Sequence, residues 1–157
     1  MEDPSEDLTL AERMLVALLY APGKTKRQAE PVFGRVTLAK LLFLLWKNPT
    51  TAPALHDVSF EPYDYGPWSD WIDVALDELS SRDLIAQAPG KATRISLTRK
   101  GTEEGKAIFA DLPADQRAVV EDLKANFGSL STEVLLDRVY AAYPEFATES
   151  KWKRGGG

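Results

Sequence analysis

The spacing of hydrophobic residues predicts a helix near the start of the chain. Apolar side chains recur every three or four positions over residues 10–20. Thr9 and Glu12 match the Thr-x-x-Glu capping box that begins many helices, and Pro22 with Gly23 ends the pattern. The polar segment that follows, residues 24–31, is typical of a loop.

A second helix is predicted further along, with Thr37 as its N-cap. Its leucines recur at i, i+3, i+4 and i+7, and additional apolar residues leave little of its surface polar. A helix of this kind is buried between other elements, so we expect Leu41 and Leu45 at the centre of the core. Lys40 and Lys47 are the residues of this helix that we expect at the surface.

A strand and a third helix are predicted on either side of a Gly-Pro break. Residues 58–63 alternate weakly between apolar and polar side chains, which indicates a strand. Pro67 suits the first position of a helix, because its missing N–H costs nothing there and its φ is already set. Apolar residues then recur at helical spacing, which predicts a helix over residues 67–81.

The rest of the chain predicts a β-hairpin followed by three helices. Residues 84–88 and 93–97 are its strands, joined by a Pro-Gly-Lys turn. Thr98 and Ser131 are suitable N-caps for the helices that follow them, and the helix between these two spans residues 113–126.

This order of elements predicts a mainly α-helical protein with a small β-hairpin, of the α+β class. Three helices followed by a two-stranded hairpin match a winged helix-turn-helix with extra C-terminal helices. Residues 67–81 then hold the place of the recognition helix, and residues 89–94 that of the wing. We therefore expect a winged-helix domain over residues 1–112, with a C-terminal helical extension, residues 113–154, packed on it.

Composition limits the classes of function. The 157-residue chain has a net charge of −5 and a pI of about 5.0, so it has no general basic surface for nucleic acid. It contains no cysteine, which excludes disulfides, thiol catalysis and zinc–thiolate sites and agrees with a reducing cytoplasm. No apolar run reaches the roughly 18 residues of a membrane span, so we expect no membrane contact.

Acidic residues are concentrated around the third helix. Residues 57–83 carry eight acids against one base, Arg82, and Asp70, Asp73 and Asp77 form a stripe off the apolar face. Such a helix repels phosphates, which argues against DNA recognition through it. The stripe is either a solvated face or part of a protein-binding surface.

Basic residues gather instead on the hairpin and the helix after it. Nucleic-acid binding through the wing is therefore the alternative function. Its candidate residues are Lys91, Arg94, Arg99 and Lys100.

Aromatic residues at the Gly-Pro break complete the candidate site. Tyr63 and Tyr65 flank the break, where aromatic side chains either close the core or anchor an interface. The predicted partner-binding residues are Tyr63, Tyr65, Trp68, Asp70, Asp73 and Asp77.

The sequence contains no motif of a known catalytic or metal site. His56 is the single histidine and falls in a loop rich in proline and alanine. Gly90-Lys91 lacks the spacing of a phosphate-binding loop, and the carboxylates lack that of an EF-hand. We therefore expect no enzymatic activity, no cofactor and no metal.

Four segments of the chain carry a family resemblance. They are residues 38–45 (Leu-Ala-Lys-Leu-Leu-Phe-Leu-Leu), 63–69 (Tyr-Asp-Tyr-Gly-Pro-Trp-Ser), 84–86 (Leu-Ile-Ala) and 95–101 (Ile-Ser-Leu-Thr-Arg-Lys-Gly). Together they resemble one prokaryotic family, the Panacea or SocA-like antitoxin domain with its YwgA-like relatives. The most specific part is Tyr-x-Tyr-Gly-Pro-aromatic-Ser, and the resemblance covers about residues 8–105.

The resemblance implies a cytoplasmic protein that neutralises a toxin by binding it, or an adaptor that hands a bound protein to a protease. A basic toxin would suit the acidic stripe, and a homodimer stays open. The predicted helices of residues 113–143 have no place in the core antitoxin pattern.

Overall fold

The computed structural model describes residues 8–63 and 66–147, which form a mainly helical protein with a small antiparallel sheet. The helices are α1 (Leu10–Tyr20), α2 (Arg35–Lys47), α3 (Trp71–Ser81), α4 (Arg99–Asp111), α5 (Ala114–Phe127) and α6 (Thr132–Ala142). The strands are β1 (Val32–Phe33), β2 (Glu61–Tyr63), β3 (Gly66–Trp68), β4 (Ile85–Ala88) and β5 (Arg94–Leu97). Short 3-10 helices lie at Ala52–Leu55 and Pro144–Ala147.

Two antiparallel sheets organise the strands. The predicted hairpin is confirmed as β4 and β5, and β1 adds a third strand in the order β1-β5-β4. Val32 pairs with Ile95 and Phe33 with Arg94, so the end of the long loop after α1 belongs to this sheet. The sequence did not predict β1, because two residues are too few to show alternation. Strands β2 and β3 form a separate two-stranded sheet.

Helix ends that depend on local side-chain caps were predicted correctly. The reciprocal hydrogen bonds of Thr9 and Glu12 form the capping box of α1. The hydroxyls of Thr98 and Ser131 accept from the backbone of the third helical residue of α4 and α6. Each of these interactions spans three residues, so it can be recognised without knowledge of the fold.

The predicted beginning of α2 was wrong. The helix starts at Arg35 after Gly34, whose φ of +99° lies in a region that favours glycine. Thr37 is buried inside the first turn and does not cap it. Lys40 is fully buried rather than exposed, whereas Lys47 is partly exposed.

The predicted beginning of α3 was also wrong. Pro67 belongs to β3, where it pairs with Pro62, and α3 begins four residues later at Trp71. A proline suits either the first turn of a helix or the edge of a sheet. Pairing with β2 decides between the two, and local sequence does not contain that information.

The core is one hydrophobic cluster that includes the C-terminal helices. Leu41 and Leu45 are fully buried, as predicted. Val120 of α5 and Val139 of α6 belong to the same cluster. The ring of Phe43 in α2 contacts four other aromatic rings, those of Trp46, Phe60, Tyr143 and Phe146. Helices α5 and α6 therefore pack directly on α2, and a domain boundary at residue 112 stays a prediction.

Helix α4 lies close to its neighbours at two glycines. A Cβ on Gly101 would overlap with the carbonyl oxygen of Leu84, just before β4. A Cβ on Gly105 would lie 3.1 Å from Cδ1 of Leu97 in β5 and 3.2 Å from the Cβ of Tyr20 in α1. No helix in the described part of the chain is long and apolar enough to cross a membrane.

Candidate functional site

The β2–β3 sheet positions the two described aromatic residues of the predicted site. Tyr63 pairs with Gly66, and its side chain projects outwards, so that 58% of the residue is exposed. Trp68, paired with Glu61, is half-buried against the core. Tyr65 lies outside the described residues.

Gly66 holds this sheet tightly against the helices beneath it. Its φ is +118°, and a Cβ there would lie 3.0 Å from Cδ1 of Leu136 and 3.4 Å from Cε of Lys40. Any other residue would strain the backbone, and its Cβ would crowd the side chains of Leu136 and Lys40. The glycine of the Tyr-x-Tyr-Gly-Pro segment therefore lets this sheet lie close to α2 and α6.

Two clefts adjoin Tyr63 and Trp68. The first has a volume of about 380 Å³ and is lined by carboxylates of Asp57, Glu61 and Asp70. The second, of about 420 Å³, is lined by Val36, Pro67 and Asp73 among others. Both clefts share Tyr63, Trp68 and Asp70.

The acidic stripe is not uniform. Asp70 precedes α3, is exposed and makes no capping hydrogen bond, and Asp77 is exposed two turns further on. Asp73 is half-buried and forms an ion pair with Arg35 at the start of α2. Reversing Asp73 would therefore disturb a tertiary contact, so this member of the stripe is neither simply solvated nor free to bind a partner.

Arg35 is a site residue that the sequence did not reveal. It pairs with Asp73, and its Nη2 donates to Oε1 of Gln87 on β4 at 2.8 Å. The side chain thus joins α2, α3 and the sheet at the edge of the second cleft. Thirty-eight residues separate the pair along the chain, so no local pattern could indicate it.

Exposed aliphatic residues extend the surface beside the acids. Val74 on α3 is 66% exposed, and Val36 at the start of α2 is 38% exposed. Val74 was visible in the sequence as an apolar residue off the core-facing stripe. Apolar residues with carboxylates around them match the core-and-rim pattern of protein interfaces.

The alternative nucleic-acid residues occupy the turn of the hairpin and the start of α4. Lys91 lies in the turn and Arg94 begins β5, and both are exposed. Arg99 is almost fully exposed, 4.0 Å from Glu103, whereas the Nζ of Lys100 donates to the carbonyl of Arg82 at 3.1 Å. Lys100 is also exposed, but its ammonium group is bonded to the protein's own backbone.

His56 is exposed and bonded locally. Its Nδ1 lies 2.9 Å from the carbonyl oxygen of Pro53 and its Nε2 lies 3.1 Å from Asp57 Oδ1. Among the described residues no three histidine or acidic side chains are placed to hold a metal ion.

No protein-family model matches this chain, and no curated protein matches it. The function of the surface must therefore be argued from its residues and their geometry.

Proposed function

We propose that this chain is a non-enzymatic binding module that recognises another protein through an aromatic–acidic surface formed by Tyr63, Trp68, Asp70 and Asp77. The observation that carries this proposal is the position of Tyr63 and Trp68 between two clefts that share Asp70. Aromatic side chains supply contact area at low entropic cost, and exposed carboxylates steer a basic partner.

The order and pairing of the elements support a winged helix-turn-helix scaffold. Helices α1, α2 and α3 precede the β4–β5 hairpin, and β1 pairs with the hairpin as a third strand. In this scaffold α3 takes the place of the recognition helix. Its outward side carries Val74, Asp77 and Glu78. This combination of an apolar and two acidic side chains suits a protein partner better than a phosphate backbone.

Within this class we favour an antitoxin-like or protease-adaptor-like role in a prokaryotic cytoplasm. The support is the resemblance of the Tyr63–Ser69 segment to the Panacea, SocA-like antitoxin domain. The partner would be a basic toxin, since Asp70 lies beside the aromatic residues in both clefts and Asp77 is exposed further along α3. We propose no catalytic role for His56, which is bonded to its own loop.

A direct test uses the product of the gene that adjoins this one in its source genome. Expressed alone it should arrest growth, and coexpression of this chain should restore growth. Tyr63→Ala and the double variant Asp70→Lys/Asp77→Lys should abolish the rescue. The matched control is Glu121→Lys/Asp122→Lys, which reverses two exposed acids on α5.

The physical basis is tested with the purified pair. Reversal of Asp70 and Asp77 should slow association at low salt by about tenfold or more, whereas the α5 control should not. If both double variants bound and rescued like the unmodified protein, the acids near α3 would be only a solvated face.

DNA binding through the wing is the second candidate, favoured by the exposure of Lys91 and Arg94 at the hairpin. Salt-sensitive binding of a duplex at nanomolar concentration, lost in Lys91→Ala, would support it. Unretarded passage over heparin at low salt would contradict it.

A further inference from the structure

A larger cleft of opposite charge lies away from the aromatic–acidic surface. Its volume is about 800 Å³, and it is bounded by the loop after α1 and by the paired strands β1 and β5. We call it the cationic cleft and define it by Lys24, Arg27, Phe33 and Arg94, all of which line it and are exposed.

The cleft has an excess of positive charge in a chain whose net charge is −5. Three basic side chains line it, and one carboxylate, that of Glu30, opposes their charge. Burial alone raises the pKa of Glu30, but hydrogen bonds from Thr25 and the charge of Lys124 hold it below its ordinary value. Glu30 is therefore ionised, and the excess of two positive charges still favours an anion.

Phe33 gives the cleft an aromatic face beside a guanidinium group. The residue is 56% exposed and lies directly opposite Arg94 across the antiparallel pair. Directly opposed residues of such a pair project to the same side of the sheet. A planar ring stacks well on phenylalanine, and a guanidinium group next to it adds attraction to π faces and phosphates.

We propose that the cationic cleft binds single-stranded nucleic acid, with phosphates at Lys24, Arg27 and Arg94 and one base stacked on Phe33. An unpaired strand offers both of the groups that this cleft recognises, a row of phosphates and free base faces. A duplex keeps its bases stacked inside and would leave Phe33 without a partner. An acidic peptide would pair with the lysine and arginine side chains but bring no planar ring to Phe33.

The first experiment measures fluorescence anisotropy of labelled ten-nucleotide oligothymidylate and oligouridylate on the full chain at 50 mM salt. Arg27→Ala/Arg94→Ala should weaken binding at least tenfold. Lys106→Ala/Arg138→Ala removes two exposed basic side chains outside the cleft, one on α4 and one on α6, and should change binding less than twofold. Three phosphate contacts predict a loss of affinity of about 20-fold between 50 and 200 mM salt.

The second experiment tests the stacked base. Phe33→Ala should weaken binding at least fivefold without altering the salt dependence, and Phe33→Trp should retain it. Circular dichroism checks that the variants fold, which is expected because Phe33 is exposed.

The proposal is overturned by any of four results: no binding of either oligonucleotide, unchanged binding in Phe33→Ala, equal affinity for a duplex, or equal competition by polyglutamate. Tyr63→Ala separates it from the proposed protein recognition. That variant should lose the protein partner and keep the oligonucleotide, because Tyr63 is not part of the cationic cleft.

Discussion

Lys40 and Lys124 both carry an ammonium group into the interior, one from α2 and one from α5, but their surroundings differ. The Nζ of Lys124 donates to the carbonyl oxygens of Leu19 and Ala21, at 3.0 and 2.7 Å. These carbonyls lie at the end of α1, where the helix itself offers no further donors. The Nζ of Lys40 has no hydrogen-bond partner among the described residues.

From this difference we expect burial of the same group to stabilise one region and to weaken another. Burial lowers the pKa of Lys124 to about 7, opposed by the charge of Glu30, and lowers that of Lys40 to about 8. Lys124 offsets part of this cost through its hydrogen bonds to two helix-end carbonyls. Lys40 does not, and it lies directly beneath Gly66 in the sheet that carries Tyr63 and Trp68.

The largest effect is expected from Leu41→Ala, next to Lys40 on α2. Leu41 is fully buried, and its truncation should lower the free energy of unfolding by roughly 2–5 kcal/mol, measured by urea denaturation. Such a loss would show that apolar packing stabilises this region despite the lysine. A change below about 1 kcal/mol would contradict a rigid core there.

Lys124→Met should lower the free energy of unfolding by about 3 kcal/mol. Methionine fills a similar volume but leaves the carbonyl groups of Leu19 and Ala21 without their donor. The same urea titration measures it, with the exposed Lys106→Met of α4 as the control for loss of one charge. If Lys124→Met and Lys106→Met were equally stable, the hydrogen bonds of Lys124 to the end of α1 would not contribute to stability.

Lys40→Met should have the opposite sign and raise the free energy of unfolding by about 2 kcal/mol at pH 7. The substitution removes a buried charge that has no hydrogen-bond partner among the described residues. A loss of stability would mean that the ammonium has an acceptor, and the contrast with Lys124 would then disappear.

The pH dependence of stability tests the burial of Lys40 directly. In the unfolded chain a lysine keeps its proton up to its ordinary pKa, whereas Lys40 in the folded protein begins to lose it near pH 8. The unfolded state therefore binds more protons above pH 8, and stability rises with pH. From pH 8 to 9 the stability advantage of Lys40→Met over the unmodified protein should shrink by about 1 kcal/mol. An advantage that stays constant with pH would contradict this titration.

The burial of Lys40 marks the limit of what the sequence could reveal. The apolar pattern of α2 placed Leu41 and Leu45 in the core correctly, because that inference needs only helical spacing. The same pattern placed Lys40 at the surface, because lysine is rarely buried. The pattern also contains no information on which elements cover the side of α2 that carries Lys40. The cover is supplied by β3 and α6, which meet Lys40 around Gly66 and Leu136.

The candidate site, too, could be predicted only in part from the sequence. The sequence picked out Tyr63, Trp68 and Asp70, which the structure places on two adjoining clefts. It could not show that Asp73 is paired with Arg35, or that β1 brings Phe33 opposite Arg94. Both arrangements arise from pairing between distant segments, which leaves no periodic trace in the chain.

The smallest effects are expected from partly exposed charges, which set the scale for the two buried lysines. Asp73→Asn should lower the free energy of unfolding by at most about 1 kcal/mol, because solvent screens its ion pair with Arg35. Asp70→Asn should change it by a few tenths of a kcal/mol, since Asp70 is exposed and makes no capping bond. Urea denaturation in low and high salt should show the Asp73 effect fading with salt, while that of Lys124→Met persists. If Asp73→Asn lowered the free energy of unfolding as much as Lys124→Met, the ion pair at the second cleft would be a major contributor to the stability of the fold. Charge reversals that probe partner binding must then avoid Asp73 and use Asp70 and Asp77 alone.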